Sequence, residues 1–148
     1  MREADLDCIL LAGRYTLLDR TAVSELLPLC HAKNTSLVVG GVFNSGILAT
    51  GAVDGAHFDY GPASPEVLEK VAAMEKIAAS QGVSLAAPAM QFPLQNPLVA
   101  SVLLGTAKPS SLTRNMALEA HRLQPADFAP YDAHTLVASP LGTEAVRV

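Results

Sequence analysis

Three short apolar runs constrain this chain more than anything else in it. Asp7-Cys-Ile-Leu-Leu-Ala-Gly13, Ser36-Leu-Val-Val-Gly40 and Val99-Ala-Ser-Val-Leu-Leu104 are nearly continuous in aliphatic residues, and each meets a glycine. A strand with one wet face alternates apolar and polar residues, so runs of this kind predict strands buried on both faces. Helical patterns separate them, and strands joined through helical crossovers form a parallel sheet.

The helices announce themselves by their ends. Asp19 is placed to cap a helix over about Arg20 to Lys33, with Val23, Leu26, Leu27 and Cys30 on one face. Pro28 should kink or split that helix, and Asn34 should end it. Ser64 and Pro65 read as N-cap and first residue of a helix through about Ser80, with Glu66 favouring the positive end of its dipole. Its stripe of Val67, Val71, Met74 and Ala78 is core packing, and Gly82 stops it. A short helix is expected over about Ser84 to Phe92, and another from Pro109 to about His121. Gly40 to Gly51 is a glycine-dense loop, followed by an irregular stretch to Ala63.

Three parallel strands leave two unpaired sheet edges, so the chain reads as an incomplete α/β domain. Composition agrees. Of 148 residues, 50% are hydrophobic and only 16% charged, against roughly 25% charged in an average soluble domain. So little charge predicts self-association or membership of something larger. A formal net charge of −4 excludes nucleic acid as a partner, because no basic patch exists to neutralise phosphates. No apolar run nears the roughly 18 residues of a membrane span, and Met1-Arg-Glu-Ala-Asp5 does not open like a signal peptide. Cys8 and Cys30 fit no metal spacing and sit in apolar surroundings, which predicts buried thiols in a cytoplasmic protein.

The third run carries the sharpest chemical signal. It passes through Gly105 into a helix opened by Pro109, with Thr106 and Lys108 before the helix and Ser110, Ser111 and Asn115 within it. A strand that feeds through glycine into a helix N-terminus points unpaired backbone N–H groups and a positive dipole end at one spot, which suits an anion. Other candidates are weaker. Ser45, His57 and Asp59 could be imagined as a hydrolase triad, but no G-x-S-x-G elbow is present. Cys30-His31 has no second pair with which to hold a metal, and His121 and His134 read as surface residues.

Four motifs in sequence carry a resemblance. They are Leu11-Ala-Gly-Arg-Tyr-Thr-Leu-Leu-Asp19, Gly41-Val-Phe-Asn-Ser-Gly-Ile-Leu-Ala49, Gly82-Val-Ser-Leu-Ala-Ala-Pro-Ala-Met-Gln-Phe-Pro93 and Val102-Leu-Leu-Gly-Thr-Ala-Lys-Pro-Ser-Ser-Leu-Thr-Arg-Asn115. From about Asp5 to Met116 the chain resembles the C-terminal part of the aldo-keto reductases, nearest the subgroup of aldose 1-dehydrogenases and pyridoxal 4-dehydrogenases. The resemblance implies a (β/α)8 TIM barrel of which the three runs are the sixth, seventh and eighth strands. Such barrels need about 250 residues, so the chain is expected to hold only the last part of one. Residues 1–123 would be that part, and 124–148 a divergent tail without the subgroup's usual tryptophan.

By the same resemblance, Phe43, Asn44, Ser45 and Gly46 would face the pyrophosphate of a nicotinamide dinucleotide. Gly105, Thr106, Lys108, Ser111 and Asn115 would surround its adenosine. His57 and Tyr60 would lie near a sugar pocket. The departures from the pattern are specific. Gly40 stands where the family has a tyrosine that stacks on nicotinamide, and Ala12 where a glutamine is frequent. Ser111 replaces the arginine that grips the 2′-phosphate of NADP, leaving Lys108 as the nearby cation and favouring NAD, with NADP the alternative. The family's catalytic Asp, Tyr, Lys and His fall on earlier strands and have no counterpart here. The chain is therefore expected to supply the cofactor cradle of an oxidoreductase acting on a sugar or aldehyde, inactive alone. The alternative is a non-catalytic chain that self-associates or only binds nucleotide.

Overall fold

The computed structural model describes residues 3–136. Strands β1 (Cys8–Ala12), β2 (Ser36–Gly40) and β5 (Val99–Leu103) form a parallel sheet in the order β1-β2-β5. Between β2 and β5 the chain adds helix α2 (Ile47–Thr50), a hairpin of β3 (His57–Phe58) and β4 (Gly61–Pro62), helix α3 (Pro65–Ser80) and helix α4 (Ala86–Gln91). Helix α1 (Leu26–Lys33) joins β1 to β2, and α5 (Pro109–Ala117) follows β5.

The local signals explain most of these boundaries. The Ser64 hydroxyl accepts the Val67 amide at 3.3 Å, capping α3, and Asn34 ends α1 in the left-handed conformation at φ 54°. The expected helix from Arg20 does split, but before the proline. A short 3-10 turn over Thr21–Val23 precedes α1, and Pro28 falls in the first turn of α1, where a missing N–H is no loss. The last helix stops at Ala117 rather than His121, because Gln91 Nε2 draws the carbonyls of Leu118 and His121 to itself at 2.9 Å each. The glycine-dense loop holds a helical turn and the irregular stretch a hairpin, neither of which follows from the sequence reading.

The strands are buried on one face only, which corrects the expectation of two. Register pairs Leu10 with Val38 and Val38 with Ser101, then Ala12 with Gly40 and Gly40 with Leu103. The alternate residues Leu11, Val39 and Val102 turn to the helices, where Leu27, Val71, Met74 and Phe92 build the core. The opposite face is open: Leu10 is 62% and Leu103 54% exposed. Cys8 lies on that face and is exposed, so of the two thiols only Cys30 is buried, with its pKa pushed up by desolvation. In a closed barrel the open face would be the packed interior, which is why the runs lack alternation.

A 3-10 segment over Pro125–His134 folds back on this frame. Phe128 and Tyr131 are buried, Tyr131 donates to Gln81 Oε1 at 2.8 Å, and Gln81 Nε2 donates to the Asp127 carbonyl at 2.7 Å. The guanidinium of fully buried Arg20 sits 4.4 Å from the Phe92 ring centre and pairs with Asp132 at 2.5 Å. Of the expected tail, residues 137–148 lie outside the described residues.

Candidate cofactor site

The site is built where β2 and β5 end. Gly40 and Leu103 are register partners, so the loop from Gly41 and the loop from Gly105 leave the sheet side by side at its C-terminal rim. Gly41 turns the first loop at φ +64°. A Cβ there would stand 3.0 Å from the Gly13 amide nitrogen, so close approach as well as backbone angle requires glycine.

Asn44, Ser45 and Gly46 then follow one another in the left-handed region, at φ 45°, 58° and 96°. For two non-glycine residues this needs outside support, and Asn44 has it. Its side-chain oxygen accepts the Thr16 hydroxyl at 2.6 Å and its amide donates to the Gly13 carbonyl at 3.1 Å. Thr16 is itself fully buried and accepts the Asp19 amide at 2.9 Å. The amides of Asn44, Gly46, Ile47 and Leu48 close the turn on itself, whereas those of Phe43 and Ser45 find no acceptor among the described residues. Phe43 is half-buried against the core, and Asn44 is buried.

The second loop is open. A Cβ on Gly105 would meet nothing within 4 Å, and Thr106 and Lys108 are exposed. Lys108 is the extended N-cap of α5, its amide drawn to Thr106 Oγ1 at 3.4 Å. The Ser111 amide is used in the helix, but those of Ala107 and Ser110 are without acceptors among the described residues. The geometry adds a cation that the sequence reading missed: Arg114 Nη2 lies 3.5 Å from Ser111 Oγ, one turn along α5. Asn115 is buried beneath that turn.

The pyrophosphate-side and adenosine-side candidates therefore meet at one rim. Unpaired N–H groups, Lys108 and Arg114 fit the charge of a diphosphate. No group of three His, Cys, Asp or Glu that could hold a metal occurs among the described residues. The hydrolase triad is not assembled. His57 Nδ1 is 2.9 Å from the Gly55 carbonyl, Asp59 is paired with Arg14, and Ser45 Oγ accepts the Tyr60 amide at 3.1 Å.

The Aldo/keto reductase family model matches residues 1–135. The chain belongs to that family. It is 45% identical over 116 residues to a pyridoxal 4-dehydrogenase of Microbacterium luteolum, covering 78% of this chain and 34% of that relative. It is 39% identical over 142 residues to a D-threo-aldose 1-dehydrogenase of a Pseudomonas species, covering 95% of this chain and 43% of that one. The chain thus spans well under half the length of these aldo/keto reductases. Two solved structures give the fold: a glycerol dehydrogenase from Gluconobacter oxydans (TM-score 0.69, 22% identity, 90% of this chain and 43% of that one) and an aldo-keto reductase from Bacillus halodurans (TM-score 0.70, 21% identity, 93% and 46%). The three parallel strands are the last part of a TIM barrel, as the motifs implied, and the barrel is not closed among the described residues.

Proposed function

We propose that this chain forms the phosphate and adenosine cradle of a nicotinamide-dependent oxidoreductase of the aldose 1-dehydrogenase type and lacks the family's proton-transfer residues. One observation carries the reading: the Gly40–Leu103 pairing sets the loop of Phe43 to Gly46 beside the helix start at Gly105 to Ser111. Phosphate sites after the seventh and eighth strands are a recurrent use of this barrel. When bound, the dinucleotide would supply hydride transfer. The amides of Phe43 and Ser45 would meet its phosphates. Lys108 and Ser111, with Asn115 beneath and Arg114 alongside, would hold the adenosine end.

NAD is the proposed form, because Ser111 leaves no arginine at the helix start, and NADPH is the comparison that weighs Arg114. Tyr15 accepts from Asn96, Tyr131 donates to Gln81, and neither bond involves a lysine. A sugar or aldehyde would be oxidised only with the residues of earlier barrel strands present. A cytoplasmic location fits the exposed Cys8 thiol, and no helix among the described residues is long and apolar enough to cross a membrane.

A second reading has its own observation. Leu10 and Leu103 are exposed on a sheet face whose two outer strand edges have no partner among the described residues, a surface suited to self-association. Nucleotide binding and self-association are compatible.

Titration of NADH into the chain, read by the coenzyme's own fluorescence in a protein without tryptophan, tests the cradle. Gly105→Asp introduces a carboxylate where nothing lies within 4 Å, so folding should survive and binding should not. A folded wild-type chain that binds no NADH overturns the reading.

A further inference from the structure

Tyr60 is the residue that the cradle leaves unexplained. It sits at the second position of the two-residue loop Asp59–Tyr60 joining β3 to β4, with Phe58 and Gly61 paired across it. Both loop residues are left-handed, at φ 49° and 66°. A two-residue hairpin with two positive φ values strongly favours glycine at that second position, and a bulky side chain there is a true outlier. Burial does not account for the choice, since Tyr60 is 95% exposed.

The surroundings hold the strain in place. The Tyr60 amide donates to Ser45 Oγ at 3.1 Å, tying the hairpin tip to the left-handed turn of the cradle. Arg14 Nη2 reaches both Asp59 oxygens, at 2.9 and 3.1 Å, and Nη1 of the same guanidinium reaches Asp19 at 2.9 Å. Phe58 packs its half-buried ring on the core. An aromatic ring is thus presented to solvent beside Ser45 by a rigidly fastened loop. Strain maintained by its surroundings points to use.

We propose that Tyr60 is the stacking platform of this site: its ring covers a flat ring of a nucleotide whose phosphate lies at Ser45. The inference rests on the cradle reading and adds a specificity-determining residue to it. Adenine and nicotinamide share the flat face that such a platform recognises.

The test titrates NADH into the full chain as wild type, Tyr60→Phe and Tyr60→Gly, with thermal melts of each. Tyr60→Gly suits the turn, so it should raise the melting temperature by a few degrees while weakening NADH binding by about tenfold, the usual worth of one stacked base. Tyr60→Phe keeps the ring and should bind within about twofold of wild type. Competition by ADP and by nicotinamide mononucleotide then names the ring: the ligand whose affinity drops in Tyr60→Gly is the one stacked. Equal NADH affinity in wild type and Tyr60→Gly overturns the platform and leaves the cradle standing. No binding by a folded wild-type chain removes both.

Discussion

The Thr16 hydroxyl donates to the Asn44 side-chain oxygen at 2.6 Å, so a residue from the loop after β1 sets the shape of the loop after β2. Both residues are buried, and the same hydroxyl accepts the Asp19 amide. Thr16→Val keeps the volume, removes the donor and acceptor, and takes a partner from the Asn44 oxygen and from the Asp19 and Leu18 amides. A buried group left unsatisfied costs about 1–3 kcal/mol. The urea midpoint should fall by that loss divided by the denaturant slope, with the slope itself unchanged. If the loop shapes the cradle, NADH affinity falls in the same variant.

That bond also marks where the sequence stopped being legible. The parallel sheet, the Ser64 cap and the Asn34 helix end each follow from chemistry within a few residues, and all are found. Thr16 and Asn44 are 28 residues apart, and nothing local predicts their contact. The hairpin was invisible for the opposite reason: its tip is Asp59-Tyr60 rather than the Asn-Gly or Asp-Gly that such a turn favours. The open sheet face was misread because composition records the environment that the strands fit, a closed barrel, and not the neighbours present in this chain. Arg114 lies beyond the helix start in sequence, and only the turn of the helix brings it back to Ser111.

Arg20 and Asp132 join the segment over Pro125–His134 to the loop after β1. Burial lowers the Arg20 pKa and Asp132 opposes that effect. Two further guanidinium nitrogens, Nε and Nη2, have no hydrogen-bond partner among the described residues, so beyond the face of the Phe92 ring the charge is answered by one carboxylate. Asp132→Asn keeps the shape and removes that carboxylate. Loss of a fully buried pair costs about 3–5 kcal/mol, and the half-exposed Asp132 side chain lowers the expectation to roughly 2 kcal/mol. Limited proteolysis should find Pro125–His134 cut earlier in the variant than in wild type.

Alkali should unfold the chain through its buried phenols. Desolvation, helped by the negative charge of Asp127, pushes the Tyr131 hydroxyl up to about 12, and burial raises Tyr15 as well. In the unfolded chain a tyrosine ionises near pH 10 (about 10 for a free side chain). The native state therefore holds its protons longer. Stability is at its full value below about pH 10 and falls as pH rises toward about 12. Tyr131 alone accounts for a loss on the order of 2–3 kcal/mol across that window. Urea midpoints at stepped alkaline pH should fall as the tyrosinate absorbance band rises. Tyr131→Phe should flatten the slope even as it loses the bond to Gln81.

The open sheet face makes the last prediction. Leu10 from β1 and Leu103 from β5 flank Gly40 on the side away from the helices, and the outer edges of both strands lack a partner strand among the described residues. Burying the exposed part of either leucine would gain about 1–2 kcal/mol, and each bare edge offers backbone groups for a further strand. The isolated chain should associate with itself, with a concentration-dependent sedimentation coefficient. Leu10→Lys combined with Leu103→Lys leaves the helix-facing core untouched and places a charge on each strand, a device that blocks strand addition. The double variant should sediment as a monomer at concentrations where wild type does not. An unchanged sedimentation profile would show that the exposed face carries no contact between copies. The two substitutions also test independence of function: NADH binding that survives them separates the cradle, at the loops of Ser45 and Gly105, from the sheet face beneath it.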